Sequence, residues 1–97
     1  MKTTSEILSI LHDFKPIAVK KYGITSLGVF GSVARSEQKD GSDVDVCYKG
    51  KAPSLITLDL IQTELEQLLG CNVDLIRVRE HMNGMLRQRI EKEGIYV

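Results

Sequence analysis

With 97 residues, 42% of them hydrophobic and 27% charged, the chain has the composition of one folded domain over residues 1–97 and little room for a second. Its 13 basic and 13 acidic residues cancel, which removes any global field that would draw in DNA, RNA or an anionic membrane, so direct nucleic-acid binding is not expected. No stretch has the unbroken apolar length of a signal-peptide core or a membrane span, and Cys47 and Cys71 form neither a CxxC pair nor a zinc-like cluster; a cytoplasmic protein with reduced thiols is expected.

Thr3 and Glu6 have the spacing of a capping box, and Ile7, Leu8, Ile10, Leu11, Phe14, Ile17 and Ala18 follow at helical intervals. Pro16 lacks a backbone donor and crowds the carbonyl one turn back. The pattern therefore predicts a break over residues 12–15 and a short second helix to Tyr22, stopped by Gly23. Residues 25–30, TSLGVF, lie between two glycines and predict a buried first strand. Residues 32–37 have room for a helical turn or two before the turn-forming QKDGS.

The next segment, DVDVCY at 43–48, alternates strictly. Asp43, Asp45 and Cys47 take one face and Val44, Val46 and Tyr48 the other. Ser54 is a predicted cap for a helix through Leu69, with Leu55, Leu58, Ile61, Leu65, Leu68 and Leu69 facing inward and Gly70 as the stop. Residues 72–78, NVDLIRV, read as a third strand with Asp74 and Ile76 on one face. A last helix is predicted over 80–93, with Met82, Met85, Leu86, Arg89 and Ile90 inward, and residues 95–97 suit a short edge strand. The sum is an α+β chain in which a small mixed sheet of three to four strands packs with helices.

Eleven residues separate Gly31 from Asp43, fewer than a parallel crossover usually needs, so the first two strands are expected to be antiparallel. A full helix separates the second strand from the third, which permits a right-handed parallel crossover. Together these directions bring Gly31, Ser32, Asp43, Asp45 and Asp74 to one place. Three carboxylates so close repel one another unless a cation intervenes, and hard oxygen donors favour Mg2+ or Mn2+. The turn at Gly31 and Ser32 opens a short helix whose free amides suit a phosphate, with Arg35 one turn along to fork onto phosphate oxygens. Taken singly, these are a solvated strand face, an ordinary turn and a surface arginine. Their order and spacing together are what a phosphate-and-metal site requires.

GS, ten intervening residues and DxD, followed by a lone aspartate in a short apolar strand, resembles the DNA polymerase β nucleotidyltransferase superfamily. From KYGITSLGVFGSVAR to the terminal EKEGIYV, the layout is similar to that of its smallest members, the minimal nucleotidyltransferases, or MNT proteins. The resemblance implies the nucleotidyltransferase fold and transfer of AMP from ATP with two Mg2+ ions. It also implies site roles: Gly31 and Ser32 as the phosphate-gripping turn, Arg35 as the basic residue after it, Asp43 and Asp45 as paired metal ligands, and Asp74 as the third ligand, which helps take the acceptor's proton. Many small MNT proteins are antitoxins that place AMP on a tyrosine of a HEPN-type toxin, so a hetero-oligomer with such a toxin is implied as well. Two other readings stay open, an antitoxin that only masks its partner and a nucleotidyltransferase for a small molecule such as an aminoglycoside. The helical domain with which larger members bind base and acceptor has no counterpart here, which weighs against the small molecule. Ser36 stands where many relatives have glycine.

Overall fold

The computed structural model describes residues 2–97. In chain order they form α1 (Thr4–Tyr22), β1 (Ile24–Phe30), α2 (Gly31–Ala34), β2 (Val44–Gly50), α3 (Leu55–Leu69), β3 (Val73–Arg77), α4 (Gly84–Glu93) and β4 (Ile95–Tyr96). The strands make one mixed sheet ordered β3-β2-β1-β4. β1 runs antiparallel to β2 and β2 runs parallel to β3, as the connection lengths predict, and the edge strand β4 pairs antiparallel with β1. Among the described residues no helix is long and apolar enough to cross a membrane.

Alternation in the strands sorts the core into two layers. Leu27, Val29, Val44, Val46, Tyr48 and Val73 meet α1 and α3 on one face of the sheet. Phe30 and Cys47 meet Ile90 of α4 on the other, with Ile76 and Leu86 packed beside them. Both cysteines are free, Cys47 buried and Cys71 half-buried.

The predicted break at Pro16 does not occur, and α1 runs unbroken from Thr4 to Tyr22. Pro16 and His12 are both exposed, so the carbonyl that loses its donor lies on the solvent side of the helix, where water can serve it. Ile7, Leu11, Phe14 and Ala18 keep one buried stripe across the proline, and that packing holds the helix together. The capping box forms in both directions, with Glu6 N donating to Thr3 Oγ1 at 3.1 Å and Thr3 N to Glu6 Oε1 at 3.0 Å. At the other end Lys21 and Tyr22 both donate to Glu64 and fasten α1 to α3.

Ser54 caps α3 as predicted, accepting from Thr57 N at 3.1 Å. Its buried row is narrower than expected. Ile61, Leu65 and Leu69 are covered, whereas Leu55 and Leu68 fall on the flanks of that row and are exposed. α4 starts at Gly84 rather than at residue 80, because Asn83 Oδ1 accepts from the amides of Met85 and Leu86, at 3.0 and 3.1 Å, and sets the first turn there. Of its predicted inward residues Ile90 is buried and Leu86 half-buried, but Met85 and Arg89 face solvent. One short helix on the sheet contacts it along a seam only, so the wider apolar arc is left uncovered.

Tyr48 is 1% exposed, and its hydroxyl has no hydrogen-bond partner among the described residues. Burying an unpaired hydroxyl costs about 1–3 kcal/mol, while the ring itself packs in the main core. Tyr48→Phe is therefore expected to raise unfolding stability by roughly 1 kcal/mol, read as a higher urea midpoint at unchanged m-value. An equal or lower midpoint would mean that the hydroxyl is satisfied.

Candidate active site

β1 ends at Phe30 and the chain turns at once into α2. At that corner Gly31 adopts a left-handed φ of +68°, and a Cβ placed on it would stand 2.2 Å from Asp45 Oδ2. Only a residue without a side chain can take that backbone conformation cheaply and press this close to the carboxylate. Phe30, at the cap position, makes no side-chain hydrogen bond to the amides that open α2. Ser32, half-exposed, is the next residue of that turn.

Asp45 is the centre of the arrangement. Its partner across the antiparallel ladder is Phe30, and its partner across the parallel ladder is Asp74. Register partners on adjacent strands point to the same face, so Asp45 and Asp74 stand side by side, on strands spaced about 4.8 Å apart. Asp43 is exposed and lies one residue ahead of β2, not within it as predicted. The ladder with β3 begins where Val44 N donates to Asn72 O at 3.0 Å, which leaves Asp43 outside.

The electrostatics follow from this crowding. Burial and then the adjacent Asp74 push the Asp45 carboxyl above its ordinary value; the Arg89 guanidinium opposes them, Asp43 adds to the rise, and Arg35 opposes it last. Among the described residues no three His, Cys, Asp or Glu side chains are arranged to hold a metal ion as they stand. Carboxylates this close repel one another where no cation compensates them. The donors nevertheless fit a hard divalent cation, since carboxylate oxygens are what Mg2+ accepts, and a cation would relieve the repulsion on Asp45.

Arg35 is engaged elsewhere. Its Nε donates to Glu37 Oε2 at 3.3 Å and its Nη1 to Glu93 Oε2 at 2.9 Å, which ties the end of α2 to the end of α4. Ser36 follows at a left-handed φ of +56°, a conformation glycine adopts more easily, and its hydroxyl lies 3.1 Å from Thr4 Oγ1. Arg89 is the charged neighbour that residue-by-residue reading passed over as one member of an inward stripe. An arginine among Met82, Met85, Leu86 and Ile90 was the available signal.

A mixed four-stranded sheet, with carboxylates on neighbouring β2 and β3 and a glycine turn pressed against one of them, is the frame of a nucleotidyltransferase. Residues 11–97 match the nucleotidyltransferase domain family, and the chain belongs to that family. It is 42% identical over 98 residues, and over the whole of both chains, to a candidate protein adenylyltransferase of Methanocaldococcus jannaschii. It is 36% identical to the protein adenylyltransferase MntA of Thermococcus cleftensis, over 100% of this chain and 98% of that one. In fold it is similar to a candidate minimal nucleotidyltransferase of known structure, with a TM-score of 0.81 at 26% identity over 97% of this chain and 95% of the other. A complex of an MNT antitoxin with a tri-AMPylated HEPN toxin of Shewanella oneidensis has a chain of the same fold, with a TM-score of 0.62 at 19% identity over 96% of this chain and 66% of that one. The fold is that of a minimal nucleotidyltransferase, and the chain is a nucleotidyltransferase enzyme.

Proposed function

We propose that this protein transfers AMP from ATP, with Mg2+, to a tyrosine hydroxyl of a HEPN-type toxin, and that it acts as the antitoxin in a hetero-oligomer with that toxin. The observation that carries the reading is the lateral pairing of Asp45 with Asp74, beside a Gly31 turn that packs on Asp45 itself. Relatives named as protein adenylyltransferases support AMP as the group moved, and the AMPylated HEPN toxin bound to a chain of this fold supports the acceptor.

Asp43, Asp45 and Asp74 are the residues that would hold the divalent ions. Bound Mg2+ neutralises charge on the triphosphate and makes an attacking hydroxyl more acidic. Gly31 and Ser32 present amides to phosphate oxygens at the opening of α2. Asp74, on the edge strand, is open to an acceptor and takes the hydroxyl proton. The acceptor oxygen bonds to the α-phosphorus, the bond from that phosphorus to the bridging oxygen breaks, and pyrophosphate leaves with the electron pair. An antitoxin that only masked its partner would carry the repulsion at Asp45 without any use for it.

Incubating the protein with Mg2+, the product of the neighbouring gene and ATP labelled at either end tests this reading. Label in the α-phosphate is expected on the partner and label in the γ-phosphate is not, and Asp43→Asn with Asp45→Asn abolishes the transfer. Neutralisation that survives the double substitution with no label on the partner would establish masking instead. Label on an aminoglycoside in the absence of any partner would establish the small-molecule reading.

A further inference from the structure

We propose that the acceptor protein presents its hydroxyl residue on a short extended segment that adds as a strand to the free edge of β3, held by the backbone of Leu75 and flanked by Leu55 of α3. The proposal rests on the nucleotidyl-transfer reading above and names how the acceptor is held beside Asp74.

β3 is an outer strand of the sheet, with β2 on one side only. Val44 N donates to Asn72 O at one end of their ladder, and Val78 N donates to Tyr48 O at the other. Parallel pairing in that register turns the backbone of Asp74 and Ile76 toward β2 and the N–H and C=O groups of Val73, Leu75 and Arg77 outward. Side chains close both ends of this outer row. Gln62 Nε2 donates to Val73 O at 2.8 Å and Val73 N donates to Glu66 Oε2 at 3.1 Å, while Arg79 Nη1 donates to Arg77 O at 3.1 Å. Between them the N–H and C=O of Leu75 and the N–H of Arg77 have no partner among the described residues. An edge closed at both ends and open for one step accepts a short extended segment and refuses a long one.

The open step adjoins Asp74. When a residue of an added strand exchanges both backbone bonds with Leu75, its neighbour stands opposite Asp74 in either strand direction. The two side chains then rise on the same face with their Cβ atoms about 5 Å apart, and that face also carries Asp45. The residue opposite Leu75 points to the other face, where α3 lies. Because α3 joins two parallel strands, it runs back along β3. Leu55, Asp59, Gln62 and Glu66 follow one another at helical spacing along one stripe of it. Gln62 and Glu66 reach Val73, so Asp59 and Leu55 continue the stripe alongside Leu75 and Arg77. Leu55 is 85% exposed, an aliphatic side chain that the fold itself does not use. The occupant is therefore an extended stretch of the acceptor in which the hydroxyl residue adjoins an aliphatic one, the first facing Asp74 and the second facing Leu55.

Amide hydrogen exchange of the whole protein, with and without the product of the neighbouring gene, reads this contact directly. The Leu75 and Arg77 amides are expected to slow by about tenfold or more when the acceptor binds, whereas Asp74 and Ile76, already bonded to β2, stay as they were. In the labelled-ATP assay Leu55→Gln is expected to raise KM for the acceptor protein by about five- to tenfold, with kcat and the KM for ATP unchanged. Leu68→Gln, an exposed leucine on the opposite flank of α3, is the control and leaves all three unchanged. Leu75→Pro removes an N–H that the ladder to β2 does not use and is expected to raise the same KM by about tenfold; the exchange measurement on the wild type does not depend on how that variant folds. An acceptor that binds without slowing the Leu75 amide, or an acceptor KM unmoved by Leu55→Gln, overturns the proposal while label transfer by the wild type leaves the nucleotidyl-transfer reading standing. A wild type that transfers no label to the acceptor overturns both.

Discussion

Asp45→Asn is expected to yield a protein that is more stable than the wild type and nearly inactive. In the folded chain, burial and the neighbouring Asp74 raise the Asp45 carboxyl above its ordinary value of 3.8. Between 3.8 and the raised value the folded state keeps a proton that the unfolded state has released. Stability therefore falls as pH rises through that window, and at neutral pH the ionised Asp45 is a standing cost to the fold. Asparagine keeps the shape and removes the charge, so the variant is expected to melt higher than the wild type at pH 7 and to match it once pH is below both values. Added Mg2+ is expected to narrow the gap, because an ion bound to the folded state stabilises the wild type by mass action and has less to bind in the variant. Transfer activity is expected to drop by about a hundredfold or more, the scale of losing one electrostatic contact to a transition state. Thermal melts from pH 3 to 8 with and without Mg2+, run beside the labelled-ATP assay, separate the two effects. Equal melting temperatures at every pH would show that Asp45 is not destabilised in the fold, and retained activity would remove it from the site.

This opposition between stability and activity was partly visible in the sequence. The spacing from Gly31 to Asp43 and the helix between the second and third strands fixed the strand directions, and from these the meeting of Asp45 and Asp74 followed by topology. Thr3 with Glu6, and Ser54 as the cap of α3, were readable because caps are local chemistry between residues a few positions apart. Tertiary facts were less legible. Whether Pro16 breaks a helix depends on whether the freed carbonyl faces water, and that depends on which face of α1 the core covers. Likewise the period of α4 gave a broad apolar arc, but only contact with the sheet could show that Ile90 is its buried anchor and that Arg89 stands outside. The partners of Arg35 were hidden for a related reason, since Glu93 is distant in sequence and meets it only when α4 folds back onto the sheet.

Gly31→Ala is expected to abolish transfer and to destabilise the fold by about 1–3 kcal/mol, through two causes that can be separated. The first is conformational, because φ of +68° places an L-residue where its Cβ strains the backbone. The second is contact, because the new Cβ would lie 2.2 Å from Asp45 Oδ2 and 3.2 Å from Asp45 Cγ. That carboxylate must move away, either swinging out of the site or pushing the α2 turn off it. A displacement of about 1 Å in a reacting group is enough to cost about a hundredfold in rate. Gly41 provides the control for the first cause, since it also has a left-handed φ, +83°, but nothing lies within 4 Å of the position its Cβ would take. Gly41→Ala should therefore lose stability by about 1 kcal/mol from strain alone and keep its activity. The contact cause is isolated by adding Gly31→Ala to Asp45→Ala, where the carboxylate is no longer present to be struck. In that background Gly31→Ala should cost no more than Gly41→Ala does in the wild type. If the cost instead remains as large as in the wild type, the clash with Asp45 is not what makes glycine necessary at Gly31, and the backbone conformation of the turn carries the whole requirement.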